Sequence, residues 1–90
     1  MEGRAYRIRG RVQGVGFRWW ASRVAQREGL DGSVRNESDG SVVVMAWGAA
    51  ERLDALERLL HRGPPGARVD AVEPIPVHDR PASEGFTIER

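Results

Sequence analysis

The stretch Gly10-Arg11-Val12-Gln13-Gly14-Val15-Gly16-Phe17-Arg18 constrains this chain more than any other. Its three glycines in seven residues fit neither a regular strand nor a stable helix, because Gly leaves the backbone too much freedom in either. On the N-terminal side, Tyr6, Ile8, Gly10 and Val12 alternate with Arg7, Arg9 and Arg11, the period of a half-buried strand. On the C-terminal side, Phe17, Trp20, Ala21, Val24 and Ala25 recur at helical spacing. The glycines therefore mark a strand-to-helix turn. Lacking Cβ atoms, they let peptide N–H groups face a common point, and the first N–H groups of a helix have no internal partner. Such a turn is a ready anion site. The backbone N–H groups of Gln13, Gly14, Val15, Gly16 and Phe17 are the candidate cradle, and Arg18 can close it with a bidentate fork. Taken alone, the same glycines also read as a structural tight turn, and Arg18 as a surface arginine paired with a carboxylate.

Gly29 stops the first helix. Leu30 to Asn36 reads as a second strand and Glu37-Ser38-Asp39-Gly40 as a turn with the Asp-Gly hairpin signal. Ser41 to Trp47 is a third strand, broken by Gly48. Leu53, Leu56, Leu59 and Leu60 mark a second amphipathic helix that ends before Gly63-Pro64-Pro65-Gly66, with Glu51, Asp54, Glu57 and Arg58 on its solvated face. Val69 to Pro76 reads as a fourth strand. Its later part belongs at an edge or outside the sheet, because Pro74 and Pro76 have no N–H to donate. His78 to Glu84 reads as a loop and Gly85 to Glu89 as a short last strand. The order β-α-β-β-α-β predicts an α+β ferredoxin-like sandwich, an antiparallel sheet with two helices on one face. A length of 90 residues allows one core, so residues 1–90 are expected to form a single domain, with monomer as the default state.

Composition removes several function classes. Cysteine is absent, which excludes disulfides, a catalytic thiol and thiolate zinc sites. All 14 basic side chains are Arg, which excludes Schiff-base catalysis and a phosphate-loop lysine. His61 and His78 have no ligand-spaced partner, so neither a metal nor a cofactor is expected. Met1-Glu2-Gly3-Arg4 opens no secretory leader, and no apolar run approaches the roughly 18 residues of a membrane span. A cytoplasmic location without a membrane partner is expected. The net charge of +1 conceals an asymmetry: the basic residues concentrate in the half that carries the glycine-rich turn. That suits the steering of a small anion rather than a DNA-binding surface. RNA-binding domains of this fold stack bases on aromatic side chains of the central strands. Arg7, Arg9 and Arg11 occupy the first strand instead, and the third offers only Trp47, so no nucleic-acid partner is expected.

The run from Gly10 to Arg18 resembles the signature of the acylphosphatase family, G-x-V-Q-G-V-x-F-R. A second stretch of that family, G-L-x-G-x-V-x-N-x-x-D-G, is matched by Gly29-Leu30-Asp31-Gly32-Ser33-Val34-Arg35-Asn36-Glu37-Ser38-Asp39-Gly40. The resemblance runs from Tyr6 to Gly85-Phe86. It implies a metal-independent, cofactor-free hydrolase that splits a small-molecule acyl phosphate into a carboxylate and inorganic phosphate. Carried over residue by residue, it implies that Gln13, Gly14, Val15, Gly16, Phe17 and Arg18 bind the phosphate and that Arg18 and Asn36 are catalytic. Asn36 would orient the attacking water while the substrate's own phosphate takes the proton. Read from the residues alone, Asn36 is also a turn residue ahead of Asp39-Gly40, on the strand face of Val34.

The implied chemistry suits the residues present. The conjugate acid of the leaving carboxylate has a pKa of about 4, so this group departs unprotonated and no general acid is needed. Inorganic phosphate is expected as both product and competitive inhibitor. Ser33 departs from the family, many of whose members carry an aromatic residue there. Trp19 lies off the core stripe of its helix. It either covers a sheet edge or loop, or shelters the site or binds an aromatic acyl group. Trp47 shares a strand face with Val43 and Met45 and reads as packing. Two other functions fit the fold: a non-catalytic module that binds phosphate or carbamoyl phosphate, and an RNA-binding domain. With nothing attached beyond Arg90, a standalone enzyme is the expectation.

Overall fold

The structure is a computed structural model that describes residues 2–78, 80 and 84–89. Its first strand, β1 (Glu2–Arg11), begins ahead of the alternation that opens at Tyr6. The reason is Arg4. It stands on the helix-covered side, where its guanidinium pairs with Asp54 at 2.7 Å and Glu2 at 2.6 Å, so a charge occupies what would otherwise be an apolar position. Near its other end, β1 shifts register between Arg9 and Gly10. Gly10 has φ 128°, and a Cβ there would run into the Arg68 carbonyl oxygen. Two backbones meet too closely at this bulge for any other residue.

The remaining elements follow as α1 (Phe17–Arg27), β2 (Asp31–Asn36), β3 (Val42–Gly48), α2 (Ala50–Arg62), β4 (Arg68–Ile75) and β5 (Phe86–Ile88). The sheet order is β4-β1-β3-β2-β5. β1, β3, β2 and β4 pair antiparallel, as the sequence predicts, but β5 runs parallel to β2 with Val34 opposite Ile88. The sheet is therefore mixed. Three residues of β5 hold their place because Phe86 is buried in the core and Glu89 N–H donates to Val34 O at 2.8 Å. β4 lies at the opposite edge, where Pro74 is tolerated beside Tyr6. Of the expected loop from His78 to Glu84, residues 79 and 81–83 lie outside the described residues.

Both helices pack on one sheet face. Ile8 and Val12 of the first strand region, Val34, and Val42, Val44 and Ala46 of β3 meet Phe17, Ala21, Val24 and Ala25 of α1 and Leu53, Leu56 and Leu60 of α2. Trp20 is half-buried and packs edge to face on Phe17, with ring centroids 5.3 Å apart. Tyr6 is buried in the same core and donates its hydroxyl to Glu57 at 2.6 Å; burial, then this carboxylate, pushes its pKa up to about 12. On the other face Ala5, Val43, Met45 and Trp47 form a second, smaller cluster, with the Trp47 indole lying over Gly3. Ser33 pairs with Met45 on this face, away from the helices. No helix among the described residues is long and apolar enough to cross a membrane. The end of β1, the head of α1, and the ends of β2 and β5 come together at one end of the sandwich.

Candidate active site

Gly14 and Gly16 have φ of 76° and 78°, the left-handed conformation that the strand-to-helix turn requires. Gly16 is the N-cap of α1, and its carbonyl accepts the Trp20 N–H at 3.0 Å. No side chain caps this helix, and no acid stands in its first turn. Among the described residues, the N–H groups from Gly14 to Trp19 have no acceptor within the chain. The helix dipole adds a preference for negative charge at this point, about 0.3–1 kcal/mol at an exposed end.

These amides border a cleft of about 220 Å³ whose walls include Gly14, Gly16, Phe17, Arg18 and Asn36. Five of the sequence-predicted site residues thus come together. Gln13 and Val15 do not line the cleft. The Gln13 side chain turns to the β2–β3 hairpin, where Nε2 donates to Glu37 O at 2.8 Å and Ser41 O at 2.9 Å. Val15 packs on the core. Both hold the loop from outside.

Arg18 is not paired with a carboxylate among the described residues. Its Nη1 donates at 2.9 Å to the carbonyl of Glu89, the residue whose N–H is bonded to Val34. The guanidinium is aimed by the residue that follows β5. Asn36 is the last residue of β2 and pairs with Val42. The adjacent turn closes without its side chain: Glu37 N–H donates to Ser41 O at 2.8 Å, and Asp39 accepts the Ser41 N–H at 2.9 Å and hydroxyl at 2.6 Å. The Ser41 hydroxyl and N–H, then Arg9, hold the Asp39 carboxyl below its ordinary range. Glu37, next to Asn36, is paired with Arg35 at 2.9 Å and Arg7 at 3.7 Å, which offsets its charge near the cleft. No group of three or more metal-ligating side chains is present among the described residues.

Two further walls escaped the motifs. Trp19 borders the cleft beside Arg18. Ile88 borders it from β5. A three-residue strand carries too little periodicity to place such a residue from sequence.

A model of the acylphosphatase family matches residues 4–88. The chain is 52% identical over 85 residues to an acylphosphatase of Nitratidesulfovibrio vulgaris, covering 94% of this chain and 82% of that protein. It is 49% identical over 82 residues to an acylphosphatase of Thermococcus kodakarensis, covering 91% and 89%. Its fold is similar to the crystal structure of acylphosphatase from Bacillus subtilis, with a TM-score of 0.92, 29% identity and 100% of each chain covered. On a family match that spans nearly all of its length, and on relatives near half identical to it, this chain belongs to the acylphosphatase family of hydrolases.

Proposed function

We propose that the chain hydrolyses acyl phosphates without a metal ion, releasing a carboxylate and inorganic phosphate. The observation that carries this reading is a single cleft bordered by unpaired N–H groups at the head of α1, by Arg18 and by the Asn36 carboxamide. In the reaction, phosphoryl oxygens accept hydrogen bonds from the peptide N–H groups of Gln13 to Phe17 and from the Arg18 guanidinium. The side chains of Gln13 and Val15 only support this loop. At about 4 Å and an effective dielectric near 20, one cationic group offsets a unit of phosphoryl charge by roughly 4 kcal/mol. Asn36 offers both a donor and an acceptor and orients a water in line with the departing oxygen. The water oxygen bonds to phosphorus as the P–O bond to the acyl carboxylate breaks. The leaving oxygen keeps the electron pair, and the water's proton passes to a phosphoryl oxygen. Little covalent chemistry falls to the protein, so positioning and charge carry the acceleration.

Residues 1–90 act in this reading as one monomeric, cytoplasmic domain with no membrane or nucleic-acid partner, and inorganic phosphate competes with substrate. The test is turnover of acetyl phosphate with a chelator present. Activity should persist in the unmodified chain. It should fall by about 10²–10³ or more in Asn36→Ala and in Arg18→Ala, the scale of losing a preorganised stabilising group. Full activity in both variants contradicts the site. Saturable phosphate binding with no turnover contradicts the hydrolase and favours a non-catalytic module.

A further inference from the structure

A second hollow, of about 450 Å³, opens where α1, the end of α2 and the loop leading to β4 meet. Trp20, Leu59 and Ala67 give it an apolar wall; all three are half-buried and packed on the core. The loop holds its shape without a ligand. Gly63 N–H donates to Leu59 O at 2.9 Å and Ala67 N–H to Pro64 O at 3.1 Å, and the rings of Pro64 and Pro65 fix the backbone between them. A hollow formed in advance costs little ordering when it is filled. Arg62 is the charged side chain in this wall. It is exposed in the last turn of α2 and pairs with no carboxylate among the described residues, whereas Arg52 of the same helix pairs with Glu28 at 3.3 Å. The Gly66 N–H at the same wall has no acceptor among the described residues, and a Cβ there would meet nothing within 4 Å. An apolar wall beside one unpaired guanidinium and one unpaired peptide N–H complements a carboxylate carried on an aromatic ring.

We propose that this hollow is a second ligand site, separate from the cleft at the head of α1, and that it takes a small aromatic carboxylate. The carboxylate lies against Arg62, and the ring lies on Trp20 and Leu59. Inorganic phosphate has no apolar surface to offer these walls, and a neutral arene leaves the guanidinium unused. The hollow also backs onto the cleft. Trp20 packs edge to face on Phe17, with ring centroids 5.3 Å apart, and Phe17 borders the cleft. Gly63 approaches the same Phe17 ring from the side of the hollow. An occupant that bears on Trp20 therefore reaches the cleft through one packed pair and changes turnover without competing for the phosphate cradle. This coupling, unlike the binding, rests on the proposed hydrolase.

The experiment titrates phenylacetate into the ¹⁵N-labelled chain. Each tryptophan gives one indole N–H signal, so that Trp20 marks the hollow, Trp19 the cleft and Trp47 the other face of the sheet. The Trp20 indole and the Gly63, Gly66 and Ala67 amides should shift together and saturate. Arg62→Gln, at an exposed position, should weaken this binding about tenfold, the scale of a lost hydrogen bond to a charged group. Phenylacetamide, which keeps the ring but not the charge, should bind the unmodified chain more weakly by a similar factor. With acetyl phosphate as substrate, kcat should change at the phenylacetate concentrations that saturate the Trp20 signal. Shifts confined to Trp19 and the cleft amides, no saturable shift at all, or undiminished binding in Arg62→Gln overturns the site. A kcat that stays constant while the Trp20 signal saturates overturns the coupling. Absence of turnover before phenylacetate is added overturns the hydrolase instead, and the shifts still decide the site.

Discussion

At the scale of single residues, Arg18 and Asn36 owe their positions to backbone rather than to side-chain partners. The Glu89 carbonyl, just past the last strand, aims the guanidinium, and the end of β2 presents the carboxamide beside a turn that closes without it. The glycines divide by what they permit. Gly16 needs its left-handed φ of 78°, but a Cβ there would meet nothing within 4 Å. Gly10 combines φ 128° with a close approach to the Arg68 backbone. Gly16→Ala should therefore cost about 1–2 kcal/mol, the conformational term alone. Gly10→Ala should cost more than about 3 kcal/mol, because the clash is with backbone that cannot swing aside. Urea unfolding of the two variants measures this, and equal losses would contradict the distinction.

At the scale of elements, the glycine-rich loop and the β2–β3 hairpin behave as one unit because Gln13 bridges them. Its two bonds to Glu37 O and Ser41 O are the side-chain link between the loop that carries the amides and the turn that follows Asn36. Each such bond is worth about 0.5–1.5 kcal/mol net. Gln13→Ala should lower stability by about 1–3 kcal/mol and lower kcat as the two halves of the site lose their common register. Denaturation and steady-state kinetics together check this, and an unchanged kcat would contradict the coupling. The end of α1 was legible in the sequence as Gly29. There Gly29 N–H reaches Gln26 O and Leu30 N–H reaches Ala25 O, each at 3.0 Å, the pattern of a glycine-closed helix. The start of β1 was not legible, because Arg4 replaces an apolar residue with an ion pair. The parallel pairing of β5 was not legible either, since three residues hold no register signal and the pairing depends on burial of Phe86.

At the scale of the whole molecule, the sandwich and most of the cleft could be read from two motifs and two periodicities. Gly14, Gly16, Phe17, Arg18 and Asn36 stand together because a strand-to-helix turn and the end of a neighbouring strand meet at one end of the sheet. Ile88 could not be read, as it arrives there only through the closing strand. The start of β2, where it meets the residue leading into that strand, also responds to acid. Asp31 accepts the Gly85 N–H at 2.8 Å and pairs with Arg80, and these two contacts, in that order, hold its carboxyl below the usual carboxylate range. A folded pKa below the unfolded value means that the unfolded chain binds more protons in acid. The contribution is complete above about pH 4 and is lost as pH falls through the folded pKa. Tm should therefore drop below about pH 4, and Asp31→Asn should flatten that drop; an identical acid profile in the variant would contradict it. The central claim is that the peptide N–H groups at the head of α1, with Arg18, hold a phosphoryl group. Titration of the ¹⁵N-labelled chain with inorganic phosphate, followed by amide chemical shifts, tests this most directly. The expected result is a saturable shift of the Gly14 to Trp19 amides and of the Arg18 side chain; saturable shifts confined to other parts of the chain, or none at all, would contradict it.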